Sequence, residues 1–229
     1  MDQITALYEH TLVCPLCQQT FTSQKLRSKF IKIHSYDTDF RPVYTSGSEN
    51  GLLYHIVVCP KCGYAFSEQF SPFFAPGTKE AIQSRICNQW VPHDFGGKRS
   101  IEDAIQTYKL ASLSGTLKKE KHIILAGIYM RIAWLYRMID QHMQEARFLR
   151  MAMEEYNQSY STGDFHDSSM TEVRILYMIG ELLYRLGQAD ESIKYLSKVI
   201  ESQNKSLDPK AVKMAKERWQ TIREERNAK

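Results

Sequence analysis

Long apolar runs are missing from this chain. The longest, residues 52–59 and 123–130, are under half of the roughly 20 residues a membrane-crossing helix needs, and each contains a polar or small residue, so a soluble protein is expected. The start Met1-Asp2-Gln3-Ile4-Thr5 lacks the basic and apolar regions of a secretory leader, which points to a cytoplasmic chain in a reducing environment. Disulfides are therefore not expected of its five cysteines. Also missing are a Gly-x-x-x-x-Gly-Lys phosphate loop, a Gly-x-Ser-x-Gly elbow and a His-Glu-x-x-His helix, the commoner signatures of catalysis. Concentrated charge is absent too: the net charge of +4 is spread along the 229 residues, which neither requires nor excludes a polyanionic partner.

The chemistry the chain does carry begins with its cysteines. Cys14-Pro15-Leu16-Cys17 and Cys59-Pro60-Lys61-Cys62 are two copies of one short turn. Such a turn sets two sulfurs on one side of a tight loop, roughly 3.5–4 Å apart, and two turns complete a tetrahedral sphere of four soft donors. A structural Zn2+ held by Cys14, Cys17, Cys59 and Cys62 is the expected cofactor, in a closed site with no position left for substrate. Gly63 follows the second turn and permits the left-handed backbone that aims amides at sulfur, whereas Gln18 stands at the equivalent place in the first. Four thiolates around a divalent cation leave a charge of −2, which those amides and Lys25 and Lys61 are expected to offset in part.

Other uses of these residues are less economical. A thioredoxin-like pair needs one Cys-x-x-Cys turn, not two. His34 and His55, between the turns, read as ordinary boundary residues on strands, and Cys87 as a small core residue on an amphipathic helix. The 41 residues from Gln18 to Val58 exceed the usual spacer between such turns, and a β-hairpin insertion accounts for the excess.

The aromatic and β-branched runs at residues 30–34 and 52–58 predict strands, with turn-forming sequence at residues 37–42 and 45–51 between them. Residues 1–70 are thus expected to form a three- or four-stranded zinc-ribbon-like module. Asp37 and Asp39 read as backbone-capping carboxylates in a turn rather than as a catalytic pair. Residues 71–99 form a junction with three prolines and the aromatics Phe73, Phe74, Trp90 and Phe95, which are expected to dock the first module onto the helical half of the chain or to present a patch to a partner. Thr78 is expected to cap a short helix there that reaches Asn88, with Ile82 and Ile86 on one side.

From Ser100 the period becomes helical. Ser100 and Asp103 make a capping box, with Ala104, Tyr108 and Ala111 on one face. Helices are predicted over residues 119–138, 143–160, 171–186 and 189–201, and a charged one follows Asp208-Pro209 to about residue 225. Gly180, Tyr184-Arg185-Leu186-Gly187, Asp190-Glu191-Ser192-Ile193 and Tyr195-Leu196 follow the tetratricopeptide (TPR) pattern, and residues 133–137 through Ala146 do so more loosely. The fold class expected is α+β: a small β zinc ribbon with a four-cysteine site, then an all-α domain of TPR-like helical hairpins over residues 100–229. A plain helical bundle remains the alternative. In a repeat array the first helix of each pair lines a concave face, which would carry Trp134, Arg137, Arg174, Tyr177, Glu181 and Tyr184 as candidate partner-binding residues.

Cys14-Pro15-Leu16-Cys17, Asp37-Thr38-Asp39-Phe40, the run from Val58 through Cys59-Pro60-Lys61-Cys62-Gly63-Tyr64-Ala65, and Arg99-Ser100-Ile101-Glu102-Asp103-Ala104-Ile105 with Lys109-Leu110-Ala111 together resemble a bacterial family, domain of unknown function 2225. The resemblance covers nearly the whole length and implies a cytoplasmic bacterial protein with an amino-terminal metal ribbon and helical repeats; it implies no activity. The expected function is that of a non-catalytic zinc-binding adaptor for a protein or peptide partner. The alternatives are a nucleic-acid-associated factor, using the basic run Lys25, Arg27, Lys29 and Lys32 interleaved with Phe30, and an enzyme of a type without the signatures named above.

Overall fold

The computed structural model describes residues 4–202 and 208–228. Met1 to Gln3, on which part of the reading of the amino terminus rests, lie outside them. The described chain is α+β, with small antiparallel hairpins first and helices after. No helix among the described residues is long and apolar enough to cross a membrane.

Among the described residues there are three two-stranded sheets: β1 (Leu7–Val13) with β2 (Thr20–Leu26), β3 (Ile33–Tyr36) with β4 (Pro42–Tyr44), and β5 (Val57–Val58) with β6 (Ala65–Phe66). The helices are α1 (Thr78–Arg85), α2 (Ile101–Lys118), α3 (His122–Met138), α4 (His142–Thr162), α5 (Glu172–Arg185), α6 (Ala189–Glu201) and α7 (Pro209–Asn227). α1 ends at Arg85 rather than reaching Asn88, and Gly77, not Thr78, stands at its cap position. The chain forms two compact units. The described parts of residues 1–36, 42–120 and 134–141 make the first, and those of residues 37–41, 121–133 and 142–229 the second, so α3 contributes its early turns to one and its last to the other.

In the first unit, separate hairpins stand where a single ribbon of three or four strands is expected. β1 pairs with β2 from Leu7↔Leu26 to Val13↔Thr20, a hairpin beyond those the strand-forming runs predict. The run at residues 52–58 is only partly a strand. Gly51–Tyr54 is a 3-10 turn, started by Asn50, whose side chain accepts from the Leu52 amide at 3.0 Å, and only Val57–Val58 is extended. α2 explains this departure. Tyr108 Oη donates to the Leu52 carbonyl (2.9 Å), and the buried Arg99 guanidinium donates to the carbonyls of Leu53 (3.0 Å) and Ile56 (2.7 Å), so those backbone groups are satisfied without a strand partner. Arg99 also donates to the Phe95 carbonyl at 2.7 Å. α2 opens with the expected capping box between Ser100 and Asp103. At its other end, buried Lys118 pairs with buried Glu120, whose carboxylate accepts the Ser71 amide at 3.1 Å.

In the second unit, α5 packs on α4, α6 and α7. Gly180 permits the close approach of α6, because a Cβ there would stand 2.9 Å from Leu196 Cδ2. Ser192 Oγ donates to the Gly180 carbonyl across the same contact at 2.7 Å. Thr171 caps α5, and Asp208, followed by Pro209 in the first turn, caps α7.

Candidate metal centre

The two cysteine turns are the turns of two hairpins, and they match bond for bond. In the first, the Cys14 amide donates to the Gln19 carbonyl (2.9 Å) and the Gln18 amide to the Cys14 carbonyl (2.9 Å). In the second, the Cys59 amide donates to the Tyr64 carbonyl (3.0 Å) and the Gly63 amide to the Cys59 carbonyl (2.9 Å). Val13↔Thr20 and Val58↔Ala65 are the strand pairs that close them. Such a turn requires positive φ at its fifth residue, and both turns comply: Gly63 has φ +73° and Gln18 has φ +60°.

The four sulfurs converge. Cys14 Sγ lies 3.7 Å from Cys62 Sγ, Cys17 Sγ lies 3.7 Å from Cys59 Sγ, and all four are within 4.8 Å of one another. Zinc–sulfur bonds of about 2.3 Å give a regular tetrahedron with edges of about 3.8 Å, so the donor set fits such an ion. Among the described residues this is the one group of three or more His, Cys, Asp or Glu side chains so placed.

Backbone amides favour charge on these sulfurs, and burial opposes it. Amides of Leu16 and Cys17 point at the Cys14 sulfur, those of Lys61 and Cys62 at Cys59, and that of Tyr64 at Cys62. As bare thiols Cys14, Cys59 and Cys62 do not ionise together. The Cys62 thiol donates to Cys14 and holds it down at about 5, while Cys62 itself is driven far up by that donation and by burial. Burial pushes Cys59 up to about 11. A divalent cation removes this conflict by neutralising neighbouring thiolates.

An apolar shell holds the cluster: Tyr64, Ile82 and Ile86 are buried against it, with Leu16, Phe21, Phe66, Phe74 and Leu117 beside them. Trp90 lies on the second turn, its indole Nε1 donating to the Pro60 carbonyl at 2.9 Å and its ring where a Cβ on Gly63 would stand, 2.5 Å away. The junction aromatics divide accordingly. Trp90 and Phe74 serve the cluster and Phe95 is buried, whereas Phe73 is 80 % exposed. Cys87 departs from its expected place: it sits in a 3-10 turn after α1, half-buried against the cluster, and is not one of the four converging sulfurs. His34 is in exposed β3, and His55 follows the 3-10 turn and stacks on Tyr108 rather than sitting on a strand.

Of the residues expected to offset the site's charge, Lys25 is paired instead with Glu68 at 2.7 Å. Arg27 stacks on the Tyr8 ring, 4.4 Å from its centroid, and Lys29 and Lys32 are exposed. The basic run therefore does not form one free patch. Lys61 donates to Gln19 Oε1 at 3.5 Å.

Burial and pairing distinguish the candidate partner-binding residues from one another. Tyr177 and Glu181 are fully buried, Trp134 nearly so, and Arg137 is half-buried. Arg174 pairs with Asp208 at 2.7 Å, and Tyr184 Oη donates to Glu225 at 2.7 Å. Glu181 accepts from Arg185 (2.8 Å) and Arg218 (2.7 Å), two arginines not among the candidates. A buried acid on a helix face is the signal that would have pointed to them.

The family described as "Uncharacterized protein conserved in bacteria (DUF2225)" matches residues 7–222, and the chain belongs to it. Neither the curated proteins nor the solved structures include a match to the chain.

Proposed function

We propose that the protein is a zinc-binding adaptor, in which one Zn2+ closes the two cysteine turns into a zinc-ribbon-like module and TPR-like helices receive a protein or peptide partner. The observation that carries this is the convergence of four sulfurs within 4.8 Å inside an apolar shell. Cys14, Cys17, Cys59 and Cys62 would hold the ion, which supplies folding free energy rather than an open coordination position. The small residue Gly180 against Leu196, with Ser192 bonded to the Gly180 carbonyl, supports the tetratricopeptide reading of α5 and α6. Helical repeats of this kind act as scaffolds, and no catalytic role is assigned.

Two measurements test it. Purified, reduced protein is expected to hold one zinc per chain by elemental analysis, and a substoichiometric content, or iron in its place, overturns the metal assignment. Pull-down with the full chain from lysate of the host bacterium is expected to recover a protein in stoichiometric amount. Recovery of nucleic acid, with binding that persists at low salt and weakens as salt rises, would favour the alternative that rests on exposed Lys29 and Lys32.

A further inference from the structure

Residues 37–41 invert the usual burial of a hairpin. All four residues of β3 are exposed, yet the turn after it is half-buried and Asp39 is completely buried. Turn tips are ordinarily the exposed part. These residues belong to the second unit, where α5 and α7 hold them side chain by side chain. Thr38 Oγ1 donates to Glu181 Oε1 (2.6 Å) and accepts from Arg185 Nη2 (2.7 Å) and Arg218 Nη2 (3.1 Å). The Thr38 carbonyl accepts from Tyr177 Oη at 2.6 Å, and Asp37 Oδ1 from Arg185 Nη2 at 3.0 Å. Phe40 meets the Tyr177 ring edge-on at 5.8 Å, with Arg174 and Lys210 over its own ring at 5.4 and 5.8 Å. It does so at φ +63°, a conformation a bulky residue adopts only when its surroundings impose it.

The receiving side chains also bond one another. Glu181 is fully buried and is satisfied by Arg185 and Arg218 without any help from the loop. Cations, namely Arg174, Arg185, Lys210 and Arg218, outnumber the carboxylates Glu181 and Asp208 around it, so the receptor suits an acidic segment. Buried ion networks of this kind add little net stability, but they demand one geometry.

We infer that the α5–α7 face of the second unit is a receptor for an extended segment of a partner protein with an acidic–threonine–acidic–aromatic pattern, and that residues 37–41 occupy it in cis as an internal competitor. This rests on the adaptor reading and names the chemistry of the partner. The test uses the full chain and a fluorescent peptide Tyr-Asp-Thr-Asp-Phe-Arg-Pro, the sequence of residues 36–42. In the wild type the tethered segment competes at an effective concentration on the order of millimolar, so the peptide binds weakly. The Thr38→Val, Phe40→Ala double variant is expected to bind it at least about tenfold more tightly, and adding Arg218→Gln abolishes the gain. Asp37→Asn, which removes one contact to Arg185, gives a smaller gain of the same sign and serves if the double variant loses its helical circular dichroism. Peptide affinity equal in wild type and loop variants, or a gain that survives Arg218→Gln, overturns the inference. If such a failure occurs while the wild type still captures a protein partner, only this inference falls; if no partner is captured either, the adaptor reading falls with it.

Discussion

Gly63 and Gln18 hold the same place in two equivalent turns, and they show what the turn asks of a residue. Both are left-handed, a conformation that costs an ordinary residue about 1–2 kcal/mol and glycine almost nothing. At Gly63 there is a second demand, because Trp90 fills the space of a side chain. Gly63→Ala is therefore expected to lower the denaturation midpoint of the first unit by more than the backbone term of about 1–2 kcal/mol, with partial loss of metal. Gln18→Gly should leave metal content intact and change stability by less than about 1 kcal/mol, since relief of strain offsets the entropy of glycine and the lost bond from Gln18 Nε2 to the Pro15 carbonyl, at 3.2 Å. The sulfurs themselves give the sharper test. Cys17→Ser is expected to reduce metal to well below one per chain and to expose residues 1–70 to protease while helical circular dichroism persists, because structural zinc contributes on the order of 10–16 kcal/mol. Full metal retention in that variant would contradict the assignment. Cys87→Ser, outside the converging set, should keep its metal.

At the scale of elements, the helices followed from periodicity and caps. Ser100, Thr171 and Asp208 each accept the backbone hydrogen bond that a helix start needs, and Gly187 follows α5 at φ +78°. The strands followed less well. Residues 52–58 are rich in β-branched and aromatic types, yet most of them are not strand, since Tyr108 and Arg99 take carbonyls that a neighbouring strand would otherwise have taken. The β1–β2 hairpin was legible in principle from the extended-type runs flanking the first cysteine turn. The α5–α6 contact carries its own prediction. Gly180→Val places branched carbon into Leu196 and is expected to destabilise the second unit by about 1–3 kcal/mol through overpacking, read as a lowered urea midpoint with unchanged metal content. An unaltered midpoint would mean that α6 does not approach α5 this closely.

For the whole molecule, buried phenols set an alkaline limit. Burial pushes Tyr156 up to about 12 and also drives up Tyr64 and Tyr177. Unfolded tyrosines ionise near about 10, so above that pH the unfolded chain releases protons that the folded chain retains, and folding stability declines as pH rises. Below about pH 10 this contribution is complete. The melting temperature is expected to fall as pH rises from about 10 to about 12, with part of the phenolate absorbance appearing only on unfolding; a flat profile would place these rings in water. Acid acts on the other site: thiols must shed protons to hold a cation, so metal content is expected to drop as pH is lowered.

Sequence alone determined the features that depend on near neighbours: the paired cysteine turns, the helix caps, the helical period and the turn at residues 37–42, because each is dictated by residue type within a few positions. It also allowed the four thiols to be named together, since two identical turns imply a shared ion. Tertiary structure alone decided which sulfur meets which, that Trp90 covers Gly63, and that Thr38 and Phe40 are held by α5 and α7. Those contacts join residues dozens to more than a hundred positions apart, and local propensity carries no term for them; they exist because buried donors, acceptors and charges must find partners wherever the fold places them.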